Sequence, residues 1–473
     1  MYAEDVSLFN LQSRYLETFI KSYNERTKTS KTFQQTYHPV IAEPGLLGLF
    51  DVSIKEVCYP IVVKRSLGSK IWDVDENEYT DFIMGQGINL FGHNPDFIKK
   101  ALQEQLEKGI QLGLQPELVG EVAQLICELT QMERVAFSNT GTEAVMTAVR
   151  LARAATGRKK IVIFSGSYHG HFDGTLAQQS KTVDGNLCTV PTAPGVIPNF
   201  VEDILVLDYG NPQSLDVIES NAQELAAVLV EPVQSRHANL QPQEFLQQLR
   251  QLTQATGIVL IFDEMVTGFR IHPRGAQAWF GVQADIATYG KIIGGGLPIG
   301  IIAGKAAYID RIDGGMWNYG DISYPQVETT FFAGTFRRHP LAMAAAYSVL
   351  QHLKVYGFDL QQQLNQRTSE LVKRLNTIFT ENELSLCYSN FGSLFSLSSM
   401  GTSAQLQDES YWTSLRLLMY HLRYKGITLL ESGAGYLSTA HTDQDIDCLI
   451  QAFKSSVEDL IAAGFFSSTS SQK

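Results

Sequence analysis

Asp263 and Lys291 are the two side chains of this sequence best suited to chemistry. Asp263 ends the apolar run GIVLIFD, and Lys291 precedes the triple glycine of GKIIGGGLPIG. A lysine in a tight glycine-rich loop can lose enough solvation to act as a nucleophilic amine, and a buried carboxylate needs a cationic partner. Considered alone, the two residues also fit a plain buried ion pair.

The segment SNTGTEA, residues 138–144, supplies a candidate anion site. It lies between the apolar run ERVAF and a long stretch with helical periodicity. Gly141 would let the backbone approach an anion, and Thr142 together with the first N–H groups of the helix could hold a phosphate. By itself, the same pattern is more often an ordinary helix N-cap.

The segment SGSYHGHFDG follows the apolar run KKIVIF and places Tyr168 and His169 in a glycine-rich loop. Ligands of open α/β sheets bind beyond the carboxyl ends of the strands, where such a loop lies. There the Tyr168 ring could stack on a flat heterocycle. His169 and His171 could in principle be metal ligands. No carboxylate or cysteine is spaced to complete a ligand set with them, so we predict that no metal is bound.

These features together match what pyridoxal phosphate needs from a protein. The cofactor needs a lysine for a Schiff base, an acid for its pyridine nitrogen, a phosphate pocket and a contact to its ring face. All four occur in this chain. A nicotinamide cofactor fits less well, because the glycines at 294–296 do not form GxGxxG after a strand.

Short apolar runs alternate with helical patterns from about residue 115 onward. They include ERVAF, KKIVIF, ILVLD, AAVLVEP and GIVLIFDE. Runs without polar alternation, each followed by a helix, indicate a mainly parallel sheet covered on both faces. The sequence therefore predicts an α/β fold that positions the candidate residues at its strand ends.

The pattern also predicts how the chain is divided. Residues 1 to about 40 are polar with an amphipathic pattern, which predicts a helix followed by a linker. The part after about residue 340 is predicted to form a smaller α+β domain. The predicted segments are an N-terminal helix and linker (1–40), the N-terminal part of a small domain (41–110), a large cofactor-binding domain (111–340), the C-terminal part of the small domain (341–465) and a disordered tail (466–473).

Composition and charge disfavour several classes of protein. The 473 residues are 44% hydrophobic and carry a net charge of -12, which fits a large globular enzyme and disfavours nucleic acid or an anionic membrane as a partner. Five dispersed cysteines without a CxxC pair fit neither a disulfide framework nor a zinc site. The N-terminus lacks the apolar core of a signal peptide and no apolar run could span a bilayer, so we expect a cytoplasmic protein.

Six segments, in chain order, resemble the class III pyridoxal-phosphate aminotransferases: SNTGTEA, SYHG, VEPV, FDEMVTGFR, YGKIIGGGLPIG and AGTFRRHPLAM. The resemblance covers roughly residues 55–460. Within this class the chain resembles the glutamate-1-semialdehyde 2,1-aminomutases. The stretches EPVQSRHANLQP, FRIHPRGAQAWFGVQAD and NLFGHNPDFI are more similar still to aminotransferase domains of hybrid polyketide synthase/nonribosomal peptide synthetases.

This resemblance implies the pyridoxal-phosphate-dependent transferase fold of type I, in which a large domain with a mainly parallel sheet accompanies a small α+β domain. Lys291 would form the Schiff base and move a proton, and Asp263 would keep the pyridine nitrogen protonated. Tyr168 would lie on the ring face. The residues implied for the phosphate and its surroundings are Asn139, Thr140, Gly141 and Thr142.

Three further positions match the family motifs. Glu231 and His169 match cofactor-site positions, where we expect supporting roles. Thr335 belongs to the AGT motif, whose threonine reaches the phosphate of the neighbouring subunit in the family. The resemblance therefore implies a homodimer with active sites shared between its subunits.

The chain departs from the aminomutase pattern at two places. It has EPVQSRH where aminomutases typically have EPV-x-GN, and AGTFRRHP where they have AGT-x-S-x-NP. The departures add Arg236, Arg337 and Arg338 near the expected pocket. These arginines could bind a donor carboxylate or a phosphopantetheine phosphate, or they could be solvated surface charge.

The leading hypothesis is a transamination in two half-reactions. An amino acid, glutamate or glutamine, would donate its amino group to the cofactor, which would pass it to a ketone. The expected acceptor is a β-ketoacyl thioester on an acyl carrier protein of a polyketide or nonribosomal peptide assembly line. One alternative is glutamate-1-semialdehyde 2,1-aminomutase, which needs no external donor. Another is a binding or scaffold domain that has lost catalysis, although Lys291 and Asp263 are both present.

Overall fold

The structure is a computed structural model that describes residues 2–46, 48, 50–181, 187–400 and 409–466. Its strands are, in chain order, β1 Val63–Leu67, β2 Lys70–Asp73, β3 Glu78–Asp81, β4 Arg134–Ser138, β5 Lys160–Phe164, β6 Ala177–Lys181, β7 Leu187–Pro191, β8 Ile204–Leu207, β9 Leu225–Val230, β10 Val259–Asp263, β11 Ile286–Gly290, β12 Gly300–Gly304, β13 Leu386–Phe391, β14 Leu394–Ser399, β15 Ile427–Thr428 and β16 Gly435–Tyr436.

The α-helices are α1 Tyr2–Arg26, α2 Lys28–Tyr37, α3 Met84–Gly87, α4 Asp96–Lys108, α5 Val119–Thr130, α6 Gly141–Thr156, α7 Pro212–Ser220, α8 Gln243–Thr256, α9 Gly275–Phe280, α10 Ala306–Ile309, α11 Pro340–Tyr356, α12 Phe358–Glu381, α13 Glu409–Tyr424 and α14 Asp443–Ala462. Short 3-10 helices cover Pro44–Leu46, Val52–Val57, Asp173–Thr175, Pro198–Phe200 and Lys291–Gly294. The predicted disordered tail falls, apart from Phe466, outside the described residues.

The apolar runs of the sequence form a seven-stranded sheet in the order β4-β12-β11-β10-β9-β5-β8. Strand β12 is antiparallel to both of its neighbours, and the remaining pairs are parallel. All six residues of β9 are buried, as expected for a central strand covered on both faces. This sheet confirms the predicted α/β class with a mainly parallel sheet.

Helix α6 covers one face of this sheet and begins directly after the carboxyl end of β4. It packs against β9, β10, β11 and β12, and its apolar residues are part of the buried core. The Thr140 hydroxyl caps its first turn by accepting a hydrogen bond from the backbone N–H of Glu143 at 3.1 Å. At its other end Gly157 adopts a left-handed conformation, with φ 68°, which favours glycine. Both ends of the helix are therefore fixed by local sequence.

The chain forms two compact units. One unit spans residues 96–365 and contains the seven-stranded sheet, whereas the other combines residues 1–95 with residues 366–473. The sequence placed these divisions near residues 110 and 340. Helices α4 and α11 lie inside the sheet-bearing unit, where a Cβ built on Gly295 would lie 3.1 Å from Ile98 and 3.3 Å from Val349.

The other unit contains the sheets β1-β2-β3-β15 and β13-β14-β16. The polar N-terminal stretch, expected to be a helix and a linker, forms α1 and α2 within this unit. Aromatic contacts join α1 to α13. Phe19 stacks on His421 with ring centroids 4.2 Å apart, and the fully buried Tyr23 contacts Tyr420 edge-on with centroids 5.7 Å apart. Such pairs stabilise a helix beyond the area that they bury.

None of the helices in the described ranges combines the length and the apolar composition needed to cross a membrane.

The central strand β9 gives a direct test of the buried core. Leu229→Ala should lower the free energy of unfolding by about 2 to 5 kcal/mol, because Leu229 is fully buried and its removal leaves a cavity. The matched change Leu187→Ala, at a leucine that is 62% exposed, should stay within about 0.5 kcal/mol of wild type. Urea denaturation measures both, and equal losses would contradict the assignment of β9 to the core.

Candidate functional site

Four of the candidate segments begin where strands of the central sheet end. Ser138 ends β4, Phe164 ends β5, Asp263 ends β10 and Gly290 ends β11. These four strands run in the same direction, so their carboxyl ends lie along one edge of the sheet. These four segments therefore share the edge where α/β proteins bind ligands.

Asp263 and His169 form a buried pair at this edge. The two side chains are 4% exposed, and His169 Nδ1 lies 2.8 Å from Asp263 Oδ2. Asp263 Oδ1 accepts hydrogen bonds from the Thr288 hydroxyl and from the backbone N–H of Met265, each at 3.2 Å. The carboxylate is thus satisfied on both oxygens. His169 Nε2 is buried and has no hydrogen-bond partner among the described residues.

Lys291 follows β11 in a backbone conformation that is unusual for its residue type. Its φ is 42°, in the left-handed region that non-glycine residues enter at a cost of about 1 kcal/mol. The pKa of Lys291 is lowered to about 8, chiefly by burial and then by the positive charge of Arg270, while the negative charges of Glu231 and Asp263 oppose the shift. Lys291 therefore carries a neutral amine near physiological pH far more often than a solvated lysine does.

Close packing fixes the turn that presents Lys291. A Cβ built on Gly290 would lie 2.8 Å from the carbonyl oxygen of Ile299 and 2.9 Å from the sulfur of Met265. A Cβ built on Gly141 would approach the same sulfur at 2.9 Å. Met265 therefore fills the space between the turn at Lys291 and the start of α6, and both glycines are needed for this close approach.

The start of α6 presents free backbone donors. The carboxylate of Glu143 accepts a hydrogen bond from the backbone N–H of Asn139 at 2.7 Å, and the Thr140 hydroxyl accepts one from the N–H of Glu143. No acceptor in the described part of the chain meets the N–H groups of Gly141 and Thr142. A helix start with free N–H groups and its positive dipole end favours an anion.

Glu231 connects two loops of the site. It follows β9 and is 4% exposed. Its Oε2 accepts a hydrogen bond from the backbone N–H of Tyr168 at 2.8 Å, and its Oε1 accepts one from the N–H of Ser235 at 3.3 Å. Burial raises the pKa of Glu231; His169 lowers it and the charge of Asp263 raises it further. The supporting role that the sequence suggested for Glu231 stays a prediction, and the structure shows the contacts through which Glu231 would act.

The Tyr168 ring is an accessible part of this site. Its side chain is 52% exposed, whereas the neighbouring His169 is buried. The guanidinium carbon of Arg236 lies 5.6 Å from the centroid of the Tyr168 ring, which is within the range of a cation–π contact. Of the three arginines singled out from the sequence, Arg236 is the one in ring contact with a predicted cofactor-site residue.

The segment around Thr335 is placed differently. Thr335 is exposed and makes no hydrogen bond within the described ranges of its own chain. A Cβ built on the preceding Gly334 would lie 3.6 Å from Asn139 Nδ2, so the segment passes close to the start of α6. Arg337 lies over the Phe332 ring at 5.5 Å, and Arg338 donates a hydrogen bond to Gln115 Oε1 at 2.9 Å.

Sequence reasoning did not single out several residues that shape the site. Glu264 is buried beside Asp263, and burial raises its pKa to about 7. It accepts hydrogen bonds from the Thr267 hydroxyl at 2.6 Å and from the backbone N–H groups of Ala276 and Gln277 at 2.9 and 3.0 Å. Glu264 therefore fixes the loop after β10 at the start of α9. Its position next to Asp263 in FDEMVTGFR was the available indication.

Thr288 and Met265 had no comparable indication in the sequence. Thr288 reaches Asp263 because the two residues are opposite each other in the register of β10 and β11. Within the described residues, no group of three or more His, Cys, Asp or Glu side chains is arranged to hold a metal ion.

Comparison with known proteins identifies the family. The model of the family described as aminotransferase class-III matches residues 52–455. Glutamate-1-semialdehyde 2,1-aminomutase of Aquifex aeolicus is 34% identical over 413 residues, which are 85% of this chain and 93% of that protein. The enzyme of the same name from Alkaliphilus oremlandii is 36% identical, over 85% of this chain and 92% of its own length.

Solved structures agree with this result. A transaminase with PLP bound superimposes with a TM-score of 0.81 at 27% identity, covering 93% of this chain and 99% of that one. A β-phenylalanine aminotransferase from Variovorax paradoxus gives a TM-score of 0.79 at 29% identity, covering 95% and 98%. These similarities confirm the predicted family and fold type. The closer likeness to assembly-line domains stays a prediction.

The lowered pKa of Lys291 can be tested without any cofactor. Acylation of Lys291 by a small anhydride should rise with pH and reach half its maximum near pH 8, because only the neutral amine reacts. A free lysine derivative treated alongside should titrate near its usual pKa of about 10.4. Mass spectrometry of the Lys291 peptide measures the modified fraction, and a profile that matches the free derivative would contradict the lowered pKa of this amine.

Proposed function

This chain belongs to the class III aminotransferases, and on that premise we propose that it binds pyridoxal phosphate at Lys291 and Asp263 and moves an amino group between small amino and carbonyl compounds. The observation that carries the proposal is the placement of Asp263 and Lys291 at the ends of the adjacent strands β10 and β11, where Asp263 is buried and the pKa of Lys291 is lowered. A buried ion pair with no catalytic role would not require a cluster of donors and an exposed ring beside it.

The residues present fit the cofactor. The free N–H groups at the start of α6 suit its phosphate, and Asp263 suits its ring nitrogen. His169 Nε2 is a buried polar atom without a hydrogen-bond partner among the described residues, as expected where a ligand completes the site. A side chain at position 141 would collide with Met265, so the backbone at the start of α6 has no Cβ at Gly141 between it and Met265.

When bound, pyridoxal phosphate supplies an electron sink for the carbon that gains or loses the amino group. The chain's own residues control the protons. Lys291 Nζ, with a pKa near 8, can accept a proton and return it at neutral pH. Asp263, supported by His169 and Thr288, offers a negative charge that favours a proton on a ring nitrogen beside it. Glu231 holds the loop of Tyr168 in place.

Exchange of the amino group within one molecule is the first candidate reaction. The relatives that cover 85% of this chain at 34% and 36% identity are named glutamate-1-semialdehyde 2,1-aminomutase. They favour this reaction over the transamination expected from the closer assembly-line resemblance. We therefore propose glutamate 1-semialdehyde as the first substrate to examine.

Transfer from an external amino acid to a ketone is the second candidate. Two observations favour it: Arg236 lies over Tyr168 at a position where aminomutases typically have another residue, and the chain is 29% identical to a β-phenylalanine aminotransferase. In this version glutamate or glutamine is the donor and a β-ketoacyl thioester on an acyl carrier protein is the acceptor. The carrier protein, the biosynthetic context and a cytoplasmic location remain predictions.

One experiment separates the two candidates. Holoenzyme receives glutamate, glutamine or glutamate 1-semialdehyde singly, without an acceptor, and its visible absorption is followed. In an aminomutase the pyridoxamine form consumes the semialdehyde with no added amino acid. In an aminotransferase glutamate or glutamine removes the band of lysine-bound cofactor and releases a 2-oxo acid. Lys291→Ala is the control. If none of a broad set of amino compounds reacts, the proposed function is wrong.

A homodimer also follows from this proposal. Apolar side chains are exposed along residues 316–336, namely Met316, Trp317, Tyr319, Ile322, Tyr324, Phe331 and Phe336. Soluble monomers rarely expose so much apolar surface in one segment. The same segment carries Thr335, which we expect to reach the site of the partner subunit. Sedimentation velocity should give twice the mass of 52.5 kDa, and a monomer at micromolar concentration would contradict the proposal.

A further inference from the structure

Two loops beside the candidate cofactor site are joined by a buried glutamine. The Tyr168 loop comprises residues 165–171, and the Arg236 loop comprises residues 232–237. Gln234 is 1% exposed, and its Nε2 donates hydrogen bonds to the carbonyl oxygen of Ser165 at 2.8 Å and to the hydroxyl of Ser167 at 3.0 Å. A Cβ on Gly166 would lie 3.2 Å from Gln234 Oε1. The loops are therefore closely packed.

Glu231 joins the same two loops through a second pair of hydrogen bonds. One of its carboxylate oxygens accepts a hydrogen bond from the N–H of Tyr168, and the other accepts one from the N–H of Ser235. The buried side chains of Glu231 and Gln234 thus fix the backbone of the two loops that carry Tyr168 and Arg236. The contact between the Arg236 guanidinium and the Tyr168 ring is therefore stabilised by these buried hydrogen bonds as well as by the two exposed side chains themselves.

Arg236 has no ion-pair partner in the described part of the chain. Arg134 and Arg250, by contrast, pair with the carboxylates of Asp310 and Asp285. A guanidinium that is held over an aromatic ring and left unpaired presents its planar N–H groups to a ligand. The other candidates are engaged away from Tyr168, since Arg338 bonds Gln115 and Arg337 lies over Phe332.

We infer that Arg236 binds the carboxylate of the amino or oxo substrate and so selects carboxylate-bearing compounds. The inference rests on the proposed function, and it deepens it for both candidate reactions, because glutamate and its semialdehyde each carry a carboxylate. Arginine suits this role because its two parallel N–H groups match a carboxylate in a fixed plane. A lysine at position 236 would keep the charge and lose that paired geometry.

Equilibrium binding tests the inference without turnover. Glutarate, which has the two carboxylates of glutamate and no amino group, is titrated into holoenzyme by calorimetry. Arg236→Gln should weaken glutarate binding about 10- to 100-fold, because a charge-assisted hydrogen-bond pair is lost. Arg236→Lys should fall between wild type and Arg236→Gln. Arg153→Gln is the control, since Arg153 lies about 18 Å along α6 from Gly141 and donates to the carbonyl oxygen of Lys159.

Several results would overturn the assignment. These are an absence of glutarate binding in wild type, equal binding in wild type and Arg236→Gln, and a loss that appears in Arg337→Gln instead. Inorganic phosphate is titrated as a competitor, because an unpaired guanidinium can also hold a phosphate. If phosphate binds more tightly than glutarate and displaces it, the site would be assigned to a phosphate and the carboxylate assignment would be wrong.

Kinetics supply a second measurement. For β-phenylalanine, KM should rise in Arg236→Gln by the same 10- to 100-fold while kcat changes little, because the carboxylate is held equally in ground and transition states. For 1-phenylethylamine, which lacks the carboxylate, KM should not change. An equal rise for both amines would overturn the inference. If no amino compound reacts with wild type, the proposed function fails, and the glutarate titration still decides the role of Arg236.

Discussion

The burial of the Asp263 carboxylate at the end of β10 is the constraint on which the site depends. A charge at 4% exposure costs several kcal/mol unless it is paired and hydrogen-bonded. Here His169 lies 2.8 Å from one oxygen, while Thr288 and the backbone of Met265 serve the other. The environment that stabilises this charge also removes solvent from Lys291, and its pKa falls. The site thus combines a carboxylate that is stabilised by hydrogen bonds, at Asp263, with an amine that loses its proton more easily than a solvated lysine does, at Lys291.

Glycines and buried side chains bring the loops to that place. Gly141 and Gly290 allow Met265 to fit between the start of α6 and the turn of Lys291. Glu231 and Gln234 join the loops that carry Tyr168 and Arg236 by hydrogen bonds. The sheet thus determines where the loops begin, and these contacts fix the positions of the loops relative to one another.

Local sequence patterns were sufficient for the fold class and for the choice of candidate segments. Apolar runs such as AAVLV, without polar alternation, indicate a strand that is buried on both faces, and β9 is such a strand. Glycine-rich segments after such runs indicated the ligand edge, where Lys291 and Asp263 both lie. These inferences need only the neighbouring residues in the chain.

Long-range packing could not be predicted in the same way. Thr288 meets Asp263 through the register of two strands, and Met265 fills a gap between two glycines that are distant in sequence. Helices α4 and α11 belong with the sheet because their side chains pack around Gly295, which no local pattern reveals. The choice among three arginines likewise depended on which one the loops place over Tyr168.

The most direct test of the account is to find where the cofactor attaches. Holoenzyme prepared with pyridoxal phosphate is reduced with borohydride, digested and mapped by mass spectrometry, with Lys291→Ala treated identically. We predict one pyridoxyl phosphate group on the peptide that contains Lys291, and none in the variant. Attachment at a different lysine, or the same yield in Lys291→Ala, would contradict the assignment of the site.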